Sequence, residues 1–300
     1  PLKKEFQKLT QSIMELNINH NKTQNDHKKL EKQFKKDIIK KNIIIDTIHI
    51  PQTEVNHSSN YIINFGDNNL PEVYKNVIGF RLINAVIPYT FYTVHTNNNI
   101  IKIKMAGETE YRTIRLIPGQ YTFTELGEHL QGKIVAEGGP VYINFIVTPN
   151  VDAVKYTISS GDGGGNFDID WANSTSNRLF GFKKKVNSTG EPQYESDHEA
   201  DQSVHYIDLT IKEIPSIACK INSKGKEIIS RIPFNKSAGN IIYYRTPEHE
   251  LQTSNYFYPM KLPQLTIQLI DDHGFIYDAN HGDNSFEFEL TILQNTALLK

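Results

Sequence analysis

Two kinds of hydrophobic spacing divide the chain. In residues 1–42, Leu2, Phe6, Leu9, Ile13 and Leu16 recur at steps of four and three, the a/d spacing of a helical stripe. An Asn-rich patch from Asn17 to Asn25 interrupts it. A second helical run starts near Asp26, a candidate N-cap, and sets Leu30, Phe34 and Ile38 on one face. In the same heptad frame His20, Thr23 and His27 fall at core positions, so one continuous coiled coil is not expected. The pattern predicts an N-terminal α-helical arm over 1–42. Three readings stay open for it: packing on its own domain, packing against another subunit, or disorder. So narrow a stripe suits a partner helix or groove, with Leu2, Phe6, Leu9, Ile13, Leu16, Leu30 and Phe34 as the candidate contacts.

From Asn42 onward the period changes to two. Ile43, Ile44, Ile45, Ile48 and Ile50 form a first predicted strand ending at Pro51, and residues 61–65 a second. Phe80, Leu82 and Asn84 alternate with Arg81, Ile83 and Ala85. Both faces of that run are largely apolar, which predicts a central strand, with Pro88 interrupting pairing or marking a bulge. The asparagines Asn97 to Asn99 make a polar turn, followed by β-type runs over 100–105 and 111–117 and the turn Pro118-Gly119. Thr122-Phe-Thr-Glu125 is a capping box, opening a helix whose Phe123, Leu126, Leu130 and Ile134 share one face. Gly138-Gly139-Pro140 stops it. Strands are predicted over 141–148, 154–159 and 167–171, with a polar loop over 186–203.

The last third alternates more cleanly. Tyr206, Asp208, Thr210 and Lys212 interleave with Ile207, Leu209 and Ile211. Further strands are predicted at 228–232, 241–244 and 265–269, and Asp272-His273-Gly274 reads as a hairpin turn. In the closing strand Phe286, Phe288, Leu290 and Ile292 point to the core, while Glu287, Glu289 and Thr291 point to water. The fold class expected is mainly β: an antiparallel jelly-roll-type β-sandwich over 43–300 with one inserted short helix, preceded by the arm over 1–42.

Composition narrows the function classes. Hydrophobic residues make up 38% of the 300-residue chain, enough for a large core. A net charge of −2 calls for neither nucleic acid nor an anionic membrane as the main partner. Cys219 is the only cysteine, so an internal disulfide and a Cys-based zinc site are excluded, which fits folding in a reducing compartment. No apolar run opens the sequence, and none reaches 18 residues, so neither a secretory signal nor a membrane span is expected.

Motifs for catalysis are weak. Asp197, His198, Glu199 and Asp201 form the best acidic and His cluster, but in a polar loop that reads as solvated. Asp271, Asp272 and His273 suit a turn. The run from Gly161 to Asp170 offers Asp162, Asn166, Asp168 and Asp170 as oxygen ligands but lacks an EF-hand's closing Glu; a flexible hairpin is the plainer reading. No Gly-Lys-Ser/Thr follows its glycines, and neither His-Glu-x-x-His nor Gly-x-Ser-x-Gly occurs. The expectation is no enzyme activity, no cofactor and no metal. Lys183 to Lys185 reads as a solvated basic loop, or as a contact to an acidic neighbour or packaged nucleic acid.

The order of several segments resembles proteins of one family. These are Val77-Ile-Gly-Phe-Arg-Leu-Ile-Asn-Ala-Val-Ile-Pro-Tyr-Thr90 with Tyr92 and Asn97 to Asn99, then Ile117-Pro-Gly-Gln-Tyr-Thr122 with Glu125, Leu126 and Leu130. Leu179-Phe-Gly-Phe182, the Asp-Asp-His-Gly turn and the final Phe-Glu-Phe-Glu-Leu strand follow. Together, over residues 43–293, they resemble jelly-roll penton and minor capsid proteins of nucleocytoplasmic large DNA viruses and their virophages. The resemblance implies a structural virion protein, a capsid vertex (penton) subunit assembled in the host cytoplasm by protein–protein contacts. Its implied partners are copies of itself in a homopentamer, the major capsid protein and other virion proteins, with no sequence-specific nucleic acid. A minor capsid or cement protein beneath the capsomers is the alternative within that class. A carbohydrate-binding or host-attachment module is the alternative outside it, supported by Tyr256, Phe257 and Tyr258.

Overall fold

The computed structural model describes residues 22–24, 26, 28–29, 37–51, 57–66, 73–90, 92–162, 164–252, 256–280 and 282–294. The stripe residues Leu2, Phe6, Leu9, Ile13, Leu16, Leu30 and Phe34 lie outside the described residues, so the arm contacts expected of them are not addressed by it. Two corrections fall at the inner end of that segment. Residues 22–24 are already helical, so Asp26 sits within the helix and is not its N-cap. Ile38 does not extend the helical face: it opens strand β1 (Ile38–Asp46), which pairs along all nine residues with the closing strand. A β-branched run beside a ready partner strand overrides the four-residue spacing that ended on Ile38.

The chain then adds β2 (Asn60–Asn64) and the long β3 (Tyr74–Pro88). It next forms β4 (Ile100–Met105), β5 (Arg112–Arg115), a helix (Phe123–Gly138), β6 (Ile146–Asn150), β7 (Lys155–Ser159), β8 (Phe167–Ile169), β9 (Ser188–Glu191) and β10 (Gln193–Glu195). The last part holds β11 (Tyr206–Ile211), β12 (Lys220–Ile221), β13 (Glu227–Ile228), β14 (Ser230–Pro233), β15 (Ile241–Arg245), β16 (Met260–Leu262), β17 (Gln264–Asp271) and β18 (Ser285–Leu293). The protein is mainly β, and the strand pairs are antiparallel.

Two four-stranded paths make the main sandwich. One sheet runs β1-β18-β3-β15, with β16 also on β3; the other runs β14-β11-β17-β2. Their inner faces share one cluster, including Leu82, Ile87, Ile207, Leu209, Leu265, Ile267, Phe286, Phe288 and Leu290. β3 is central, held by β18 on one side and β15 and β16 on the other. Its ladder with β18 stops at Val86, where β18 begins at Ser285, but Pro88 does not interrupt pairing on the other side: it is the register partner of Ile241 in β15. The register with β18 shifts twice, so that Ile83 and Ile78 are extra residues on β3.

The second shift falls near the end of the closing strand. Phe286, Phe288 and Leu290 are fully buried, as the alternation predicts, but Thr291 and Leu293 are buried too and Ile292 only partly. Ile292 still packs against the main cluster, whereas Thr291 and Leu293 are buried outside it, so the inward alternation holds and the outer face is covered beyond Leu290, which a period of two cannot show. Ahead of the shift the outer face forms polar ladders over three strands. Glu287 accepts from Asn42 (2.8 Å) and Asn84 (2.5 Å), and Glu289 pairs with Lys40 (3.0 Å) and Arg81 (2.5 Å).

Between β3 and β11 the chain builds a second lobe with its own apolar cluster, which shares no residue with the first. Sheets β5-β4-β8-β9 and β10-β7-β6 enclose Ile101, Ile103, Tyr156, Phe167 and Trp171 together with the helix residues Leu126, Leu130 and Ile134. The expected single sandwich over 43–300 did not include this core. The helix starts as its sequence predicts: Thr122 Oγ1 accepts from the Glu125 N–H (3.3 Å), and Glu125 Oε2 accepts from the Thr122 N–H (2.8 Å). After it, Gly139 at φ 83° and Pro140 turn the chain into a 3-10 segment, so the strand expected over 141–148 begins only at Ile146. Residues 186–203, expected as loop, contain β9 and β10. Their side chains are mostly exposed and polar, leaving no apolar period to read.

Candidate functional site

The two lobes meet at a charged cluster centred on Arg178. This residue follows the Ser174 and Ser176 turn of the inserted lobe and precedes the buried Leu179-Phe-Gly-Phe182 knot. Gly181 in that knot has φ 74°, and a Cβ there would lie 2.2 Å from the His198 carbonyl oxygen, so only glycine lets the two segments close. The knot presents the Arg178 guanidinium toward the sandwich. Its Nε donates to Asp201 Oδ2 (2.6 Å), its Nη2 to Asp272 Oδ2 (3.3 Å), and its Nη1 meets His273 Nδ1 at 2.9 Å. His205 Nε2 lies 3.2 Å from Asp201 Oδ2.

Asp272 and His273 are held by the turn after β17. Asp271 Oδ1 accepts from the backbone N–H groups of His273, Gly274 and Phe275 at 2.8–2.9 Å, and Gly274 takes φ 95°. The expected turn is therefore present. Its return leg, however, is a single bridge from Ile270 to Ile276 rather than a strand hairpin. β17 and β18 belong to opposite sheets, so the intervening segment must cross the sandwich.

Charge sets the proton affinities here. Burial alone would raise the Asp201 carboxyl, but the hydrogen bond and charge of Arg178 outweigh it and hold it below the usual range. Burial and then the Arg178 charge lower the His273 imidazole, and burial with His273 beside it pushes His95 down to about 4. Clefts of about 850 and 280 Å³ flank the cluster, both walled in part by Arg178, Asp201, Gln202 and Ser203. With its guanidinium engaged by two carboxylates, Arg178 ties the lobes together rather than presenting an open cation to a ligand.

The acidic and His cluster read from the sequence does not converge. Asp197 accepts from the Lys183 N–H (3.0 Å), His198 Nδ1 meets the Glu199 carbonyl (2.9 Å), and Asp201 turns to Arg178. The calcium-like run is likewise occupied. Asp168 accepts from the Gly190 N–H (2.8 Å) and pairs with Lys104 (3.4 Å), while Asp170 accepts from Asn173 (2.8 Å). Among the described residues no group of three or more His, Cys, Asp or Glu side chains is placed to hold a metal ion. Cys219 is half-buried, and burial with Glu227 nearby pushes its thiol up to about 11. Lys183 to Lys185 are exposed. Of the aromatic run, Phe257 is buried, whereas Tyr258 is 93% exposed. Sequence reasoning missed Arg178 altogether, since a lone arginine carries no signal until its distant carboxylates are in place.

Residues 53–247 match the model of a family described as "Family of unknown function (DUF5901)", well over half of the chain. The chain belongs to this family. The family match takes in β2, β3, the whole inserted lobe and β11 to β15, and stops before the last three strands. No curated protein matches the sequence. Among solved structures, the mavirus penton protein aligns at 10% identity with a TM-score of 0.40, covering 84% of this chain and 98% of that one. At that score the likeness decides neither fold nor function. No helix among the described residues is long and apolar enough to cross a membrane.

Proposed function

We propose that this family member is a structural virion protein, a non-catalytic subunit of the icosahedral capsid of a large double-stranded DNA virus, placed at the five-fold vertices as a homopentamer. The observation that carries the reading is the strand order of the main sandwich. Numbering its eight strands B to I in chain order as β1, β2, β3, β11, β14, β15, β17 and β18 turns the two paths into B-I-D-G and C-H-E-F. That order supports a double Greek-key jelly roll, an architecture shared by capsid proteins, lectins and cupins. Fold alone does not choose among these. The capsid reading draws also on the segments that carry the family resemblance. They lie at framework positions: the central strand β3, the entrance to the helix, the Leu179–Phe182 knot, the turn after β17, and β18. Residues that set shape suit a part whose work is done by buried contact area.

The test is to locate the protein in a reconstructed particle, with mass photometry of the purified full chain beside it. Density at the five-fold axes and a pentamer on concentration support the vertex reading. Density beneath the capsomers, away from those axes, would replace it with the minor capsid role. A purified chain that binds glycans on an array and is absent from the shell would overturn both.

A further inference from the structure

An apolar groove lies on the main sandwich, and none of the Arg178 cluster lines it. It encloses about 500 Å³ and is walled by Ile78, Ile217, Tyr256, Tyr258, Met260 and Leu293, almost without polar atoms. Ile217 is 69% and Tyr258 93% exposed, so large apolar side chains line the open groove. A contiguous apolar patch of this kind marks a contact site rather than ordinary surface.

The chain itself points to the occupant. Leu293 on the groove wall is the register partner of Ile38, and the Gln294 N–H donates to the Asp37 carbonyl at 2.7 Å. Residues 1–36 therefore join the fold at the rim of the groove. Phe34 is four residues from Ile38 and Leu30 eight, about 6 and 12 Å along a helix rising about 1.5 Å per residue, so both stay close to the rim. Their spacing of four puts them on one helical face. A tether this short gives a local concentration that a separate molecule must exceed to compete.

We propose that the groove is the seat of the chain's own N-terminal segment, with Leu30 and Phe34 inserted between Ile217 and Tyr258. The seat holds whether or not the chain is a capsid subunit.

The experiment places the photo-crosslinking amino acid benzoylphenylalanine at Tyr258 of the full chain, in a mixture of isotopically light and heavy copies. The expected result is a crosslink within one copy to the peptide containing Leu30 and Phe34. The double variant Leu30→Asp, Phe34→Asp should lower the yield by more than about tenfold, because two apolar contacts are lost. Ile217→Asp, at another exposed lining residue, should lower it similarly, with the circular dichroism spectrum of each variant unchanged. A light–heavy crosslink would show a second copy in the groove and overturn the proposal. So would a crosslink to residues 2–16 or 295–300, or none.

Discussion

Truncating Leu290 to alanine tests the main sandwich at its centre. The side chain is fully buried in β18, opposite Phe80 of β3 and Lys41 of β1. Three carbons leave the core, and at about 0.8 kcal/mol each this removes about 2.4 kcal/mol of transfer energy. The remaining cost depends on whether the hole can close. Ladders on both sides fix the β18 backbone, so little collapse is open to it. The total should fall in the upper part of the range for such truncations, about 3–5 kcal/mol. For a chain of this size that lowers Tm by roughly 10 °C. Urea unfolding followed by far-UV circular dichroism measures it, with the slope expected unchanged. The two separate cores add a second readout. Trp171 is the only tryptophan and is buried in the inserted lobe, so its emission follows the other cluster. Its midpoint should move less than that of the dichroism signal. A change in stability below about 0.5 kcal/mol would refute the packing, since only surface positions tolerate truncation that cheaply. Leu290→Asp should cost more, because it adds an unpaired buried charge.

Three further outcomes are expected. Arg178→Met leaves Asp201 and the buried Asp272 without their shared cation; it should destabilise the junction by about 1–3 kcal/mol, discounted for the partial exposure of Arg178, with faster hydrogen exchange at 201–205 and 271–275. Acid should weaken the fold in two stages. His95 and His273 have lowered affinities, so the unfolded chain binds more protons and stability falls as pH drops below about 6.5. Asp201, held low by Arg178, adds stability above its unfolded value near 3.9 that is lost only at still lower pH. Thermal melts between pH 7.5 and 3 should show both stages, and His95→Asn should flatten the first. Thr122→Ala removes the side-chain half of the capping box and should cost about 1 kcal/mol, measured by denaturant titration of the Trp171 signal.

Local chemistry was open to reading from residues alone. The capping box at Thr122 and Glu125, the glycine stop after the helix, the two-faced apolar run of β3 and the inward phenylalanines of β18 each depend on neighbours within a few positions. Propensity and period act over that range, so those elements stand where the pattern put them. Pairing partners do not act over that range. A period of two says which face of Ile43–Asp46 is apolar but not that β18, almost 250 residues away, will take it, nor that the outer face of β18 will be covered beyond Leu290. The second core was hidden for the same reason: its strands are short, and their apolar residues become one cluster only when the chain between β3 and β11 closes on itself. The Arg178 junction depends most on the fold, because its carboxylates stand 23 and 94 residues away and attraction between charges follows distance in space, not along the chain.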